Sequence, residues 1–224
     1  MAAFFFKLFI TVNKMLKNKE IDSLREKALK LVAERVPVPS NYLLVGSLFV
    51  NHDAIPVFIF RFQQDESIKE IGGEHFSVSV DLDATKIMGF IHIHKEHCGD
   101  GLLDDESAKV IARDFIPQVA PDLASEYEIK WVMKQLENPN KIPHESPFPF
   151  QDTSGETYLV TGVRVKLFFE KLSSWGWVIV GREGKIISFE RQINWNTIMN
   201  RRSTPAWLHD PYIQELSEDI NHLN

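Results

Sequence analysis

A helix pattern followed by runs of strand character occurs twice in this sequence, and that repeated order constrains the fold most strongly. Apolar residues between positions 21 and 36 recur at three- and four-residue spacing, as on one face of an amphipathic helix. Pro37 and Pro39 are expected to end this helix. Turn residues then separate four runs with strand character, at 42–50, 56–63, 76–81 and 87–94. The first part of the chain therefore predicts a helix followed by a four-stranded antiparallel meander.

The same order begins again after residue 100. Asp104 or Asp105 is a suitable N-cap for a helix, and Pro117 and Pro121 are expected to end that helix. Its apolar face is formed by Ala108, Ile111, Ala112, Phe115 and Ile116. Strand-like runs follow at 127–136, 158–171, 176–180 and 185–191, with a long Pro-rich loop at 138–156.

The two parts also align residue by residue. Residues 28–37 and 108–117 have equal lengths, and KIMGF (86–90) corresponds to KIISF (185–189), each after a tight turn. This agreement predicts a tandem duplication. The expected fold is α+β, with two helix-plus-antiparallel-β-meander units in one compact body and a C-terminal helical tail. The expected boundaries are 1–19 for an N-terminal helical segment, 20–100 and 101–196 for the repeats, and 197–224 for the tail.

Motifs of the first part resemble the PepSY-type domain. The helix contains EKALKLVA (26–33), Tyr42 leads the first strand, and the last hairpin reads VSVDLDATKIMGF (78–90). In PepSY-type domains this hairpin reads approximately V-x-V-D-A-x-T-G-x-I. The residues that match it are Val78, Val80, Asp81, Asp83, Ala84, Thr85 and Ile87. Lys86 stands where Gly is usual, and the second copy keeps Gly184 but lacks the Asp-Ala pair.

The resemblance implies a function as well as a fold. PepSY-type domains are non-catalytic α+β modules of metallopeptidase propeptides and of exported or membrane-attached bacterial proteins, and a role in binding or restraining peptidases is proposed for them. They have no catalytic residues that could be transferred to this chain. The resemblance therefore predicts a non-catalytic binding or regulatory module whose partner is a protein or peptide.

A histidine-rich segment, GFIHIHKEHCGD (89–100), raises an alternative. On a strand, His92 and His94 point to the same side, and His97, Cys98 or Asp100 could add a third zinc ligand after the turn. A metal-dependent hydrolase that uses His92, His94 and His97 is the second hypothesis, and a small-ligand carrier is the third. No further ligand pair at a standard spacing occurs in the sequence. The favoured interpretation is therefore a strand with a histidine-rich solvent face, without a metal or another cofactor, and with Cys98 as a bystander.

Aromatic residues concentrate towards the C-terminus and suggest a binding surface. Trp175 is expected in a turn and Trp207 in the tail, whereas Trp177 is expected in the core. Phe148 and Phe150 belong to a Pro-Phe-Pro-Phe run in the long loop. Since Trp is enriched at binding hot spots and exposed apolar patches mark interaction sites, the candidate surface comprises Trp175, Trp207, Phe148 and Phe150.

Charge and hydropathy exclude several classes. The net charge is −6 and no long basic run occurs, which argues against a nucleic-acid partner. The apolar run at 4–12 is interrupted by Lys7 and is shorter than the roughly 20 residues of a membrane span. Basic residues follow this run instead of preceding it, which makes it a poor signal peptide. A cytoplasmic location is expected on this ground, with export or membrane association, usual for PepSY-type proteins, as the alternative.

Overall fold

A computed structural model describes residues 18–64, 71–135, 148–152, 154–199 and 201–222. It confirms the α+β class, with three α-helices and extensive antiparallel pairing in these residues. Residues 1–17, most of the predicted N-terminal helical segment, lie outside the described residues. So do residues 136–147, which include the first part of the predicted long loop. None of the helices in the described part combines the length and the hydropathy that a membrane span requires.

Each predicted strand-like run contains a strand, and three further strands occur where the sequence predicted none, at 148–151, 195–196 and 201–202. The helices are α1 (Asn18–Arg35), α2 (Asp105–Val119) and α3 (Asp210–His222). The strands of the first half are β1 (Leu43–His52), β2 (Ile55–Gln63), β3 (His75–Asp81) and β4 (Ile87–Ile93). The strands of the second half are β5 (Glu128–Gln135), β6 (Phe148–Gln151), β7 (Thr157–Val160), β8 (Gly162–Phe169), β9 (Ser174–Val180), β10 (Ile186–Ile193), β11 (Trp195–Asn196) and β12 (Arg201–Arg202).

The chain divides into two compact units. The first comprises Met1–Ile71, Phe76–Met88 and Pro205–Asn224, and the second comprises Gly72–His75 and Gly89–Thr204. In the first unit, β1 pairs with β2 and β2 pairs with β3, both antiparallel. The predicted apolar stripe of α1 is buried through Ile21, Ala28, Leu31 and Val32.

The second unit contains an antiparallel sheet in the order β4-β10-β9-β8-β5 and a separate β6–β7 hairpin. Helix α2 covers one face of this sheet, because the ring of Phe115 lies 5.8 Å from that of Phe90 and 6.0 Å from that of Phe189. Side chains alternate between the two faces of a strand. Phe189 pairs with Val178, which pairs with Val165, so these residues continue the apolar row beneath α2.

The other face of the same sheet has a different composition. Adjacent to the apolar row, Glu190 pairs with Trp177, Trp177 with Lys166, and Lys166 with Trp131. This row runs across β10, β9, β8 and β5 on the face opposite α2. The face therefore combines charged side chains with indole rings.

Two boundaries differ from the sequence prediction. Pro117 does not end α2, which continues to Val119. Pro117 has no N–H to donate to the carbonyl oxygen of Arg113, so the helix lacks that hydrogen bond and extends only two residues further. The predicted strand 158–171 is two strands in different sheets, interrupted at Thr161, whose N–H and hydroxyl donate to the carbonyl oxygens of His97 and Gly99.

The prediction of Asp104 as an N-cap is confirmed. One carboxylate oxygen of Asp104 accepts the backbone N–H of Ser107 at 2.9 Å, and the other accepts the Ser107 hydroxyl at 2.7 Å. Such a cap satisfies one of the backbone donors that the first turn of a helix leaves without a partner.

A buried ion pair fixes α3 within the first unit. The two guanidinium nitrogens of Arg61 on β2 donate to the two carboxylate oxygens of Asp210 at 2.7 and 3.0 Å. The side chains are 9% and 7% exposed. We expect Asp210→Asn to lower the free energy of unfolding by about 3 kcal/mol, because it leaves the Arg61 charge buried without its counter-charge.

Denaturant unfolding measures this loss. The matched control is Asp22→Asn, which removes the exposed ion pair with Arg25 and should change stability by less than about 0.5 kcal/mol. Equal effects of the two substitutions would show that the Arg61–Asp210 pair does not stabilise the fold.

Candidate functional site

The histidine-rich segment forms a compact group at the end of β4, which we call the histidine cluster: His92, Glu96 and His97, with His94 beside them. His92 lies on β4, and residues Lys95–His97 form a single 3-10 turn. His94 caps this turn, since its Nδ1 accepts the N–H of Glu96 at 3.2 Å and its carbonyl accepts the N–H of His97 at 3.0 Å. The turn reverses the chain and places the His97 ring against that of His92.

The ring nitrogens and the carboxylate converge. Nε2 of His97 lies 2.9 Å from Nδ1 of His92, and the ring centroids are 4.5 Å apart. An oxygen of Glu96 lies 3.8 Å from the same Nε2 of His97. The three potential ligand atoms all lie within 4.8 Å of one another.

Burial determines the charge of the two rings. Burial is the main cause that lowers the pKa of His92 to about 2, and electrostatic interactions with His97, His94, His75 and Lys185 contribute to that shift. Burial also lowers the pKa of His97 to about 4, although the Glu96 carboxylate acts in the opposite direction. Both rings are therefore neutral at pH 7, the form in which imidazole binds metals.

Two further charged groups border the cluster. The ammonium of Lys185 lies 3.5 Å from a carboxylate oxygen of Glu96. Glu74 lies 3.9 Å from Nε2 of His94 and accepts the N–H of Lys95 at 2.8 Å. The cluster thus has a cation on the Glu96 side and a carboxylate on the His94 side.

The prediction that this strand turns a histidine-rich face to the solvent is wrong. His92 is 7% exposed and His97 is 2% exposed, whereas His94 is half-buried. The reason is the two-residue period of a strand: His92 lies on the same face of β4 as Phe90, which packs against α2. Sequence reasoning also missed Glu96, although its position next to His97 was the available signal.

Cys98 shows no sign of nucleophilic activation. Burial raises the pKa of its thiol above the usual value, and its Sγ lies 3.9 Å from the carbonyl oxygen of His94. A raised pKa disfavours the thiolate, which is the reactive form.

The second candidate surface, which we call the aromatic face, lies on the side of the sheet opposite α2 and consists of Trp131, Lys166, Phe168, Trp175 and Trp195. The indole of Trp131 stacks on that of Trp175 at 5.3 Å and 22°. The Lys166 ammonium lies 5.4, 4.8 and 4.2 Å from the ring centres of Trp131, Trp175 and Trp195. Trp131 is 52% exposed, so this group reaches the surface.

Position 176 of β9, next to Trp175 of the aromatic face, requires glycine. A Cβ on Gly176 would lie 2.5 Å from the Glu190 carbonyl oxygen and 2.6 Å from the Phe169 ring, so only glycine fits there. Trp177 is buried, as predicted. Arg202 covers its ring at 5.5 Å and bonds to both carboxylate oxygens of Glu190.

The four residues predicted as a binding surface have different environments. Trp175 belongs to the aromatic face and is half-buried. Phe148 is half-buried and Phe150 is 3% exposed in the β6–β7 hairpin, where Phe150 stacks on Tyr158 at 5.5 Å. Phe150 is therefore not an exposed contact residue, because its hairpin partner covers it.

Trp207 belongs to the first unit. Its indole N–H donates to the carbonyl oxygen of Asn51 at 2.8 Å, and its ring contacts that of Tyr212 edge to face at 5.4 Å. Sequence reasoning missed Trp131, Lys166 and Trp195 because strand register, and not proximity in the chain, brings them together.

In comparisons with known proteins, no family model, no curated protein and no solved structure matches this chain.

The buried rings predict a pH dependence of stability. Because the folded state keeps His92 and His97 neutral, their contribution to stability is fully present above the unfolded pKa of about 6.5 and declines as the pH falls towards the native values. Between pH 6 and pH 4.5, we expect each ring to lower the free energy of unfolding by up to about 1.4 kcal/mol per pH unit. Glu96, Glu74, His94, His75 and Lys185 are the titratable groups around these rings.

Urea unfolding across this pH range measures the slope. His92→Asn and His97→Gln should each reduce the slope, whatever their effect on stability at pH 7.5. An unchanged slope in both variants would mean that other groups cause the pH dependence.

Proposed function

We propose that this protein is a non-catalytic protein- or peptide-binding module resembling PepSY-type domains, and that it binds its partner through the aromatic face. The observation that carries this proposal is the stacked pair of Trp131 and Trp175. It presents a half-exposed indole on a sheet face opposite the packed helix. Trp residues with a fixed orientation contribute much contact area at little entropic cost.

The local structure supports the PepSY resemblance and the tandem repeat. A helix precedes antiparallel strands in both halves, as α1 before β1–β3 and α2 before β5 and β8–β10. The corresponding hairpin turns close in similar ways. The N–H of Asp81 donates to the carbonyl of Lys86 at 3.1 Å, and that of Gly181 donates to the carbonyl of Lys185 at 2.8 Å.

The residues around the aromatic face add exposed apolar area. Met133 follows Trp131 on β5, on the same face. Ile198 and Met199 lie in the turn after Trp195, and Ile198 is 95% exposed. A partner that covers these side chains gains roughly 25 cal/mol for each Å² of apolar surface removed from water.

The exposed face is a better docking surface than the edge strand beside it. β5 is the last strand of its sheet, and a bulge between Ile129 and Trp131 interrupts its pairing. Lys130 and Lys134 add charges along this edge. Bulges and edge lysines are features that prevent the pairing of a further strand. The partner is therefore expected to cover the indoles and not to extend the sheet.

The charge of the aromatic face indicates the chemistry of the partner. Lys166 places an ammonium group among three indoles. A carboxylate of the partner would find a cation there, next to aromatic rings that accept an apolar side chain. This local arrangement outweighs the net charge of −6, because solvent and salt screen distant charges. We therefore expect a segment that carries an aromatic or large aliphatic side chain beside Asp or Glu.

Selection from a random peptide library on the purified chain tests the proposal. The selected peptides should contain the expected acidic–apolar pair, and Trp131→Ala should weaken their binding at least about tenfold. Lys166→Met should remove the preference for the acidic residue and leave the apolar preference. Fluorescence anisotropy with labelled peptides measures both effects.

Val110→Ala is the matched control, since Val110 is an exposed apolar residue on α2 and is 54% exposed. Peptides that bind the parent, the Trp131→Ala variant and the Val110→Ala variant equally would contradict the proposed surface. Unchanged melting temperatures would show that the variants are folded.

A further inference from the structure

We infer that the histidine cluster binds a divalent metal ion of the zinc class through Nδ1 of His92, Nε2 of His97 and the carboxylate of Glu96. This site lies apart from the aromatic face in its residues and in its chemistry. It therefore does not depend on the proposed peptide-binding function.

The observed distances are close to those of a metal site. Zn–N bonds of about 2.0–2.1 Å at tetrahedral angles place two ligand nitrogens about 3.3 Å apart. Nδ1 of His92 and Nε2 of His97 are 2.9 Å apart, so a separation of roughly 0.4 Å more would admit the ion. Glu96 must move its oxygen closer to Nε2 of His97 than the observed 3.8 Å. Its side chain is 44% exposed and has three rotatable bonds, so this movement meets little resistance.

The donor set selects the kind of ion. Two imidazole nitrogens and one carboxylate oxygen suit Zn²⁺ and the neighbouring transition metals, whereas Mg²⁺ and Ca²⁺ prefer oxygen ligands alone. In the hydrogen bond between the two rings, one nitrogen carries a proton and the other accepts it. Metal binding transfers that proton to the other nitrogen of the same ring, so both rings stay neutral. Three protein ligands leave a fourth position for water or for the nearby His94.

The turn that forms the cluster also keeps it in place. Glu96 and His97 are consecutive residues of a 3-10 turn, and the N–H groups of both are bonded to His94. The remaining ligand, His92, lies on a paired strand of the sheet. Since backbone hydrogen bonds hold both the 3-10 turn and the strand in place, the ligands need little further ordering when the ion binds.

The carboxylate of Glu96 lies between the histidine pair and a cation at the surface. The structure places an oxygen of Glu96 near Nε2 of His97, and the nearby ammonium of Lys185 lies 3.5 Å from Glu96. Lys185 therefore competes with a bound cation for the same carboxylate. Substitutions at Glu96 and at Lys185 are therefore expected to change the metal affinity in opposite directions.

Titration of the full-length chain, without an affinity tag and pretreated with a chelator, tests the site with Co²⁺ and Zn²⁺. We expect one equivalent of Co²⁺ to give the intense visible absorption of a tetrahedral ion, and Zn²⁺ to displace it. Glu96→Gln should weaken binding about tenfold or more, through loss of a ligand. Lys185→Met should strengthen it about severalfold, because a positive charge next to the ion is removed.

The side chains of Glu96 and Lys185 are 44% and 49% exposed, so both variants are expected to fold. Glu106→Gln and Lys109→Met are the matched controls, since Glu106 and Lys109 form an exposed ion pair on α2. These controls should bind as the parent does. His97→Gln should abolish the cobalt absorption.

Several results would overturn the inference. One is a cobalt spectrum without tetrahedral bands. Another is equal affinity of Glu96→Gln and Glu106→Gln. A third is a Lys185→Met variant that binds no more tightly than Lys109→Met.

Discussion

The alternation of side chains along the strands of the second unit is the constraint on which its other features depend. Phe189, Val178 and Val165 form a row on one face, where α2 covers them. The neighbouring residues Glu190, Trp177 and Lys166 necessarily form a row on the opposite face. A shift of register by one residue would exchange the two rows and place charges under the helix. The apolar core and the aromatic face are therefore fixed by the same pairing.

Two buried charges of this unit, on Arg191 and Glu190, are paired, and the pairs connect the sheet to its surroundings. Arg191 on β10 is 1% exposed and bonds to both carboxylate oxygens of Asp122, just after α2, at 2.8 and 2.7 Å. Glu190, the preceding residue, points to the other face and pairs with Arg202. Each charge would be costly to bury without its partner. The two pairs thus fix the end of α2 on one face and the β11–β12 hairpin on the other.

The two candidate sites arise in different ways. The histidine cluster is local, because a single 3-10 turn returns His97 to His92 within six residues. The aromatic face is not local, because Trp131, Lys166 and Trp195 come from separate strands of the second unit. The first brings nitrogen and carboxylate donor atoms together, and the second brings indole rings together. Both candidate sites lie in the second unit.

The sequence by itself determined the α+β class, the strand-like runs of both halves and a helix N-cap at Asp104 or Asp105, of which the structure shows Asp104. These features depend on residues close together in the chain, so periodicity and turn chemistry suffice to predict them. Periodicity also showed which residues share a side of a strand, but not which side is covered. Only the tertiary structure decided that His92 and His97 are buried, that Phe150 is covered by its hairpin partner, and that Trp131 meets Trp175. Burial and cross-strand contacts depend on which distant segments pack together, and no local pattern contains that information.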